Sequence, residues 1–137
     1  MLDDANQVKL RGTVAETYYM QTAKGHDRLT FTLQLQSEFT DTYGDKVYNK
    51  TFITCVAWAG AAKLFKDKLE QGTRVQLIGE LTTYTSPNKK DPSIIMYKSE
   101  VRTHKIEIVG FDETFKPRSF SNEKVEFSIT DDFSDLD

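Results

Sequence analysis

A single cysteine, Cys55, rules out an intrachain disulfide framework and suits a reducing compartment. The two histidines, His26 and His104, lack partners at metal-ligand spacing, so neither a metal site nor a cofactor is expected. No run approaches the roughly 18 apolar residues of a membrane span. No signal peptide and no internal repeat are visible. There is no carboxylate cluster anchored on strand ends, no Gly-rich phosphate loop, and no Ser/His/Asp or Cys/His arrangement. A nuclease or other enzyme is therefore disfavoured.

What is present is a 137-residue chain with 38% apolar residues, enough to bury one core. Its charge is uneven. Residues 1–110 hold 15 Lys and Arg against 13 Asp and Glu, a balance of +2. Residues 111–137 hold 3 against 8, a balance of −5. This pattern suggests a body able to meet polyanions and an acidic tail able to compete with them. The expected division is a domain over 1–110 and a flexible tail over 111–137, where periodicity fades.

The stretch Asn49 to Thr83 organises the body: a strand, a short helix and a second strand with almost no linker. In the first strand Phe52, Thr54, Val56 and Trp58 share one face, and Ile53, Cys55 and Ala57 share the other. Both faces are apolar. Either the strand is buried on both sides or it displays aromatics for a ligand. Phe52 and Trp58 would also suit a core, but the opposite face already supplies core residues, and Cys55 packs there as a small hydrophobe. The helix is expected between Gly60 as N-cap and Gly72 at its C-terminal end. It spans about three turns, with Ala61, Leu64, Phe65 and Leu69 as its apolar stripe. Thr73–Thr83 resumes strand alternation through Val75, Leu77 and Leu81.

Before this unit, residues 1–5 read as a loose arm. Asn6–Glu16 alternates Val8, Leu10, Gly12 and Val14 against Lys9, Arg11 and Thr13, with Gly12 marking a bend or bulge. Thr17–Asp27 reads as a polar connection. Arg28–Glu38 is a strand with Leu29, Phe31, Leu33 and Leu35 facing in, and Phe39–Lys46 is a hairpin tip. After the unit, Tyr84–Pro92 reads as a basic loop, and Ser93–Val109 as the last strand region. Five strands with one helix between the third and fourth is the order of an OB-fold, a five-stranded Greek-key barrel. Another small barrel, or a sandwich with an added helix, is the alternative.

Asn6–Gly110 resembles the bacterial and phage single-stranded DNA-binding protein family. The resemblance rests on Asn6 with Val8, Leu10 and Gly12, and on Phe31-Thr32-Leu33 leading to Ser37-Glu38-Phe39. It continues through Thr51-Phe52 to Val56 and Trp58, the helix with Leu64 and Leu69, Gly72 to Val75, and Gly79-Glu80-Leu81. It implies non-catalytic, largely sequence-independent binding of single-stranded DNA in replication, recombination and repair. The family's binding aromatics match Phe39, Phe52 and Trp58. A further family Trp falls where this chain has Ser86; the nearest aromatic is Tyr84. An OB-fold RNA-binding or replisome-adaptor protein is the alternative. Physically, single strands need aromatic platforms and a positive groove. Phe52, Thr54 and Trp58 share one strand face, and Lys9, Arg11, Lys50, Lys89 and Lys90 lie on outer faces or in loops.

The resemblance further implies a homo-oligomer, commonly a homotetramer, and a cytoplasmic setting in a bacterial nucleoid or phage-infected cell. Asp131, Asp132, Phe133, Asp135, Leu136 and Asp137 resemble the family's C-terminal peptide, which docks on replication and repair proteins. Family members in bacteria typically end in Asp-Ile-Pro-Phe, whereas here Phe133 is internal and the last residues are Leu136-Asp137.

Overall fold

The computed structural model describes residues 3–115. It contains β1 (Val8–Gln21), β2 (Asp27–Thr40), β3 (Lys46–Trp58), α1 (Ala59–Phe65), β4 (Thr73–Pro87) and β5 (Ile95–Phe111). The strands close into a barrel in the order β1-β2-β3-β5-β4. All neighbours are antiparallel except β3 and β5, whose short parallel pairing joins Cys55 to Val101 and Val56 to Arg102. Closure removes the free strand edges that a flat sheet would expose. The expected five-stranded barrel with one helix between its third and fourth strands is the fold observed.

Strand alternation builds the core. Val14 of β1, Leu29, Phe31 and Leu33 of β2, Cys55 and Ala57 of β3, Val75 and Leu77 of β4 and Val101 of β5 are all buried. Ala62 and Leu69 add to this cluster from the helical segment. Burial of each large side chain stabilises the barrel by about 1.5–3 kcal/mol. Burial also pushes the Cys55 thiol up to about 12, so it packs as an uncharged small group. Two glycines permit the tight closure. A Cβ at Gly12 would lie 2.5 Å from the Gln34 carbonyl oxygen, and one at Gly79 would collide with the Arg102 carbonyl.

Several local expectations are corrected. Thr17–Gln21 is not a connection: it continues β1, pairing with Asp27–Phe31, because a bulge between Val14 and Glu16 re-aims the strand. The bulge lies there rather than at Gly12. Tyr84–Pro87 likewise continues β4 against Ile95–Lys98, so the loop shrinks to the turn after Pro87. The helix is seven residues, not three turns. Its N-cap is Trp58, and Ala59 adopts a left-handed backbone (φ 54°) that turns the chain out of β3. A hydrogen-bonded turn then carries Leu69 into the core, with Lys68 and Leu69 both donating to the Phe65 carbonyl. Gly72 does not end the helix. Its N–H donates to the Val14 carbonyl, seating the start of β4. Finally, Leu81 shares a face with Leu77 yet is 44% exposed.

Candidate nucleic-acid interface

The outward face of β3 carries Tyr48, Lys50, Phe52, Thr54, Val56 and Trp58 at alternate positions. Register sets their neighbours on β2: Tyr48 opposes Glu38, Lys50 opposes Gln36, Phe52 opposes Gln34, Thr54 opposes Thr32 and Trp58 opposes Arg28. Phe52 and Trp58 are roughly 20 Å apart at about 3.3 Å per residue. Val56 is fully buried within this row, while Phe52 and Thr54 are half-buried. Trp58 keeps 36% of its surface exposed, which excludes it from the core and leaves a ring face for a partner.

Beside Trp58 lies an open groove of about 360 Å³, lined by Trp58, Thr82, Thr83, Tyr84, Glu100 and Arg102. The β4–β5 hairpin forms its far wall. Glu100 pairs with Thr82, and Lys98 with Tyr84, across that hairpin. Arg28 anchors the near wall. Its guanidinium lies 5.4 Å from the Trp58 ring centroid, and Nη2 donates to Glu100 Oε2 at 3.3 Å. A guanidinium stacks well on an indole, and its planar fork suits a carboxylate. The Arg28 side chain is only 4% exposed, so this ion pair is built into the site. Arg28 Nε and Thr30 Oγ1 are buried with no hydrogen-bond partner among the described residues. Burial pushes the Glu100 carboxyl above its ordinary value, and the Arg28 guanidinium beside it partly offsets this. Arg102 stands at the rim with its side chain 57% exposed, 4.0 Å from Glu80. Such an exposed pair is weak and leaves the cation open to an anionic ligand.

The groove and the β3 row bring together Trp58, Tyr84, Phe52, Thr54 and Lys50 among the residues singled out from the sequence. The other candidates fall elsewhere. Phe39 is 48% exposed, but it pairs with Val47, so alternation puts it on the opposite face of the β2–β3 hairpin from Phe52. Lys9 and Arg11 lie where β1 meets β4, opposite Ile78 and Gln76, and Arg11 donates twice to Gln76 Oε1, at 2.6 and 3.1 Å. Lys89 and Lys90 are exposed in the β4–β5 turn, where Asn88 Oδ1 accepts from the Lys90 N–H. The tail residues 131–137 lie outside the described residues. Sequence reasoning singled out neither Glu100 and Arg102 in the groove, nor Arg28 behind it, nor Tyr48 on β3. Tyr48 was findable, because it continues the alternation of Lys50 and Phe52. Arg28 was not, because its place opposite Trp58 depends on hairpin register.

Among the described residues no group of three or more His, Cys, Asp and Glu is placed to hold a metal ion, and no helix is long and apolar enough to cross a membrane.

Residues 5–109 match the model of the single-strand binding protein family. Among solved structures, the wild-type single-stranded DNA binding protein from Thermus aquaticus superposes with a TM-score of 0.64 at 25% identity, over 77% of this chain and 50% of its own. A deletion mutant of that protein gives 0.67 at 24% identity, with the same coverage. The Plasmodium falciparum SSB, solved in complex with ssDNA, gives 0.69 at 20% identity, over 82% of this chain and 99% of its own. The chain thus spans about half the length of the Thermus chains it matches. No curated protein matches it.

Proposed function

The chain belongs to the single-strand binding protein family, and we propose that it coats single-stranded DNA as a non-catalytic, largely sequence-independent binder in replication, recombination and repair. The observation that carries this reading is the outward row of β3, where Tyr48, Lys50, Phe52 and Trp58 alternate along one face and lead into the groove walled by Tyr84. Bases stack on aromatic faces for roughly 1–3 kcal/mol each, and lysines between them meet the phosphates. Phe39, on the other face of the β2–β3 hairpin, and Lys89 and Lys90 at the β4–β5 turn would contact a strand that wraps around these hairpins. Lys9 and Arg11 would contribute only to long-range attraction.

Trp58 is the chain's one tryptophan, so its fluorescence reports the groove directly. Titration with oligo-dT should quench it, and log affinity should fall with log salt by about 0.7 per phosphate contacted. Duplex of equal length should compete poorly, because paired bases hide their faces. Equal competition by oligo-U would favour the RNA-binding alternative, and equal competition by duplex would reduce the protein to a general polyanion binder.

The same reading includes a homo-oligomer, with the tetramer favoured over a dimer, which light scattering on the untagged protein would refute by finding a monomer across micromolar concentrations. It also assigns partner docking on replication and repair proteins to Asp131, Asp132, Phe133, Asp135, Leu136 and Asp137. The acidic charge of that segment would compete with DNA at low salt. Deleting residues 127–137 should tighten DNA binding modestly at low salt and remove the docked partners; an unchanged affinity and partner set would sink that role.

A further inference from the structure

The groove beside Trp58 contains a group that a polyanion receptor would not need, a carboxylate. Glu100 is the one acidic residue among the six that line it, and its side chain is 13% exposed. A phosphate placed against its open oxygens would meet like charge in a partly desolvated site, a repulsion that the Arg28 guanidinium behind it offsets only in part. A phosphate in this groove would therefore sit by the exposed Arg102 at the rim, and Glu100 would be left to a base edge.

An ionised carboxylate only accepts hydrogen bonds, at about four lone-pair sites that a single Arg28 bond does not exhaust. The base edge that suits it carries an amine. Cytosine presents N4–H₂ and adenine N6–H₂, whereas thymine presents the O4 acceptor at the corresponding position. The resident geometry holds the carboxylate for this task. Arg28 Nη2 donates to Oε2 from the buried side, beneath the Trp58 ring, and Thr82 Oγ1 donates to the Glu100 carbonyl oxygen at 3.2 Å. The stacking platform and the acceptor are thus tied together through one guanidinium. Resting on the reading of the groove as a single-stranded DNA site, we infer that Glu100 is a specificity-determining residue: it makes the subsite on Trp58 favour an amine-bearing base, cytosine or adenine, over thymine.

The test compares oligo-dC with oligo-dT of equal length, followed by Trp58 quenching in the full-length protein and in Glu100→Gln. Glutamine keeps the shape, but its amide can also donate to thymine O4. The preference for dC relative to dT should drop by about fivefold or more in the variant, the low end for one well-formed base contact. A ratio equal to the wild-type ratio overturns the inference. So does an equal tightening for both oligomers, which would reduce Glu100 to a repeller of phosphate. Because Glu100→Gln leaves Arg28 buried beside a neutral partner, the double variant Arg28→Met with Glu100→Gln is measured alongside. It should lose the preference as well; if it keeps the wild-type ratio, the inference fails. Absence of quenching by either oligomer in the wild type overturns the groove reading itself, and the inference with it.

Discussion

Phe31 and Phe39 lie on the same face of β2, yet the first is 1% exposed and the second 48%. Val101 and Tyr97 repeat the contrast on β5, at 0% and 80%. The difference is the number of strands alongside. β2 pairs with β1 only as far as Gln34, and beyond that it has β3 alone. β4 pairs with β1 only as far as Gly79; beyond that it has β5 alone. Where three strands curve together, the inner face closes on a core. Where two continue as a ribbon, there is no second layer to cover either face. Each long strand is thus half barrel and half ribbon, and the apolar residues of the ribbon half remain at the surface, where a ligand or partner can use them.

The largest test of this contrast sets two phenylalanines against each other. Phe31→Ala empties a fully buried site and should cost about 3–5 kcal/mol of stability, a large part of the 5–15 kcal/mol typical of a whole domain. Phe52→Ala should leave the melting temperature nearly unchanged and weaken oligo-dT binding by about 1–3 kcal/mol. Thermal melts and fluorescence titrations on both variants read the two axes separately. If Phe52→Ala unfolds the protein, the outward row of β3 is structural and the division fails.

A smaller effect is expected at the closed end of the barrel, which the ribbons lack. There Asp27 accepts from the Tyr19 hydroxyl, from Gln21 Nε2 at 3.1 Å, and pairs with Lys63 of α1 at 3.5 Å. The Tyr19 bond, then the Gln21 bond, hold its carboxyl below the ordinary value. A depressed folded value means that the ionised form stabilises the fold. That contribution is complete above the unfolded value of about 3.9 and is lost as pH falls through the lower folded value. Asp27→Asn should therefore lower the melting temperature by a constant amount above about pH 5, and the gap to wild type should close below about pH 4. A gap that persists in acid would mean that the carboxylate charge is not its source.

The contrast also explains what was legible in the sequence. Alternation placed Phe52, Thr54 and Trp58 on one face and Cys55 and Ala57 on the other, because period two is a local property. It also put Leu81 with Leu77, correctly as to face. Whether a face is covered depends on a third strand, which periodicity cannot see; hence Leu81 shares the face of the buried Leu77 and is itself exposed. Element lengths failed for a related reason. Tyr18, Tyr19 and Tyr84–Pro87 are polar or Pro-containing in a way that reads as loop, yet each has a paired strand opposite. Nothing local in the sequence marks Arg28. Only register brings it under Trp58 and against Glu100, a residue 72 positions away.

The smallest expected effect lies on the ribbon itself. Tyr97 is 80% exposed and pairs with Thr85. It lies on the face opposite Lys98, Glu100 and Tyr84, so it does not look into the groove. Tyr97→Ser removes a large ring that touches little, and stability should change by no more than about 0.5 kcal/mol. Oligo-dT affinity should stay within about twofold, because no stacking platform is removed. Val101→Ser, four residues further along the same face, should instead destabilise markedly, because it puts a hydroxyl into the apolar core. The pair isolates the coverage of the face from its composition. A fall of several degrees for Tyr97→Ser would show that something covers the ribbon. If that fall vanished on dilution, the cover would be a second copy of the chain, since only an association weakens with concentration. A concentration-independent fall would place the cover within the chain, and the division into barrel and bare ribbon would have to be withdrawn for β5.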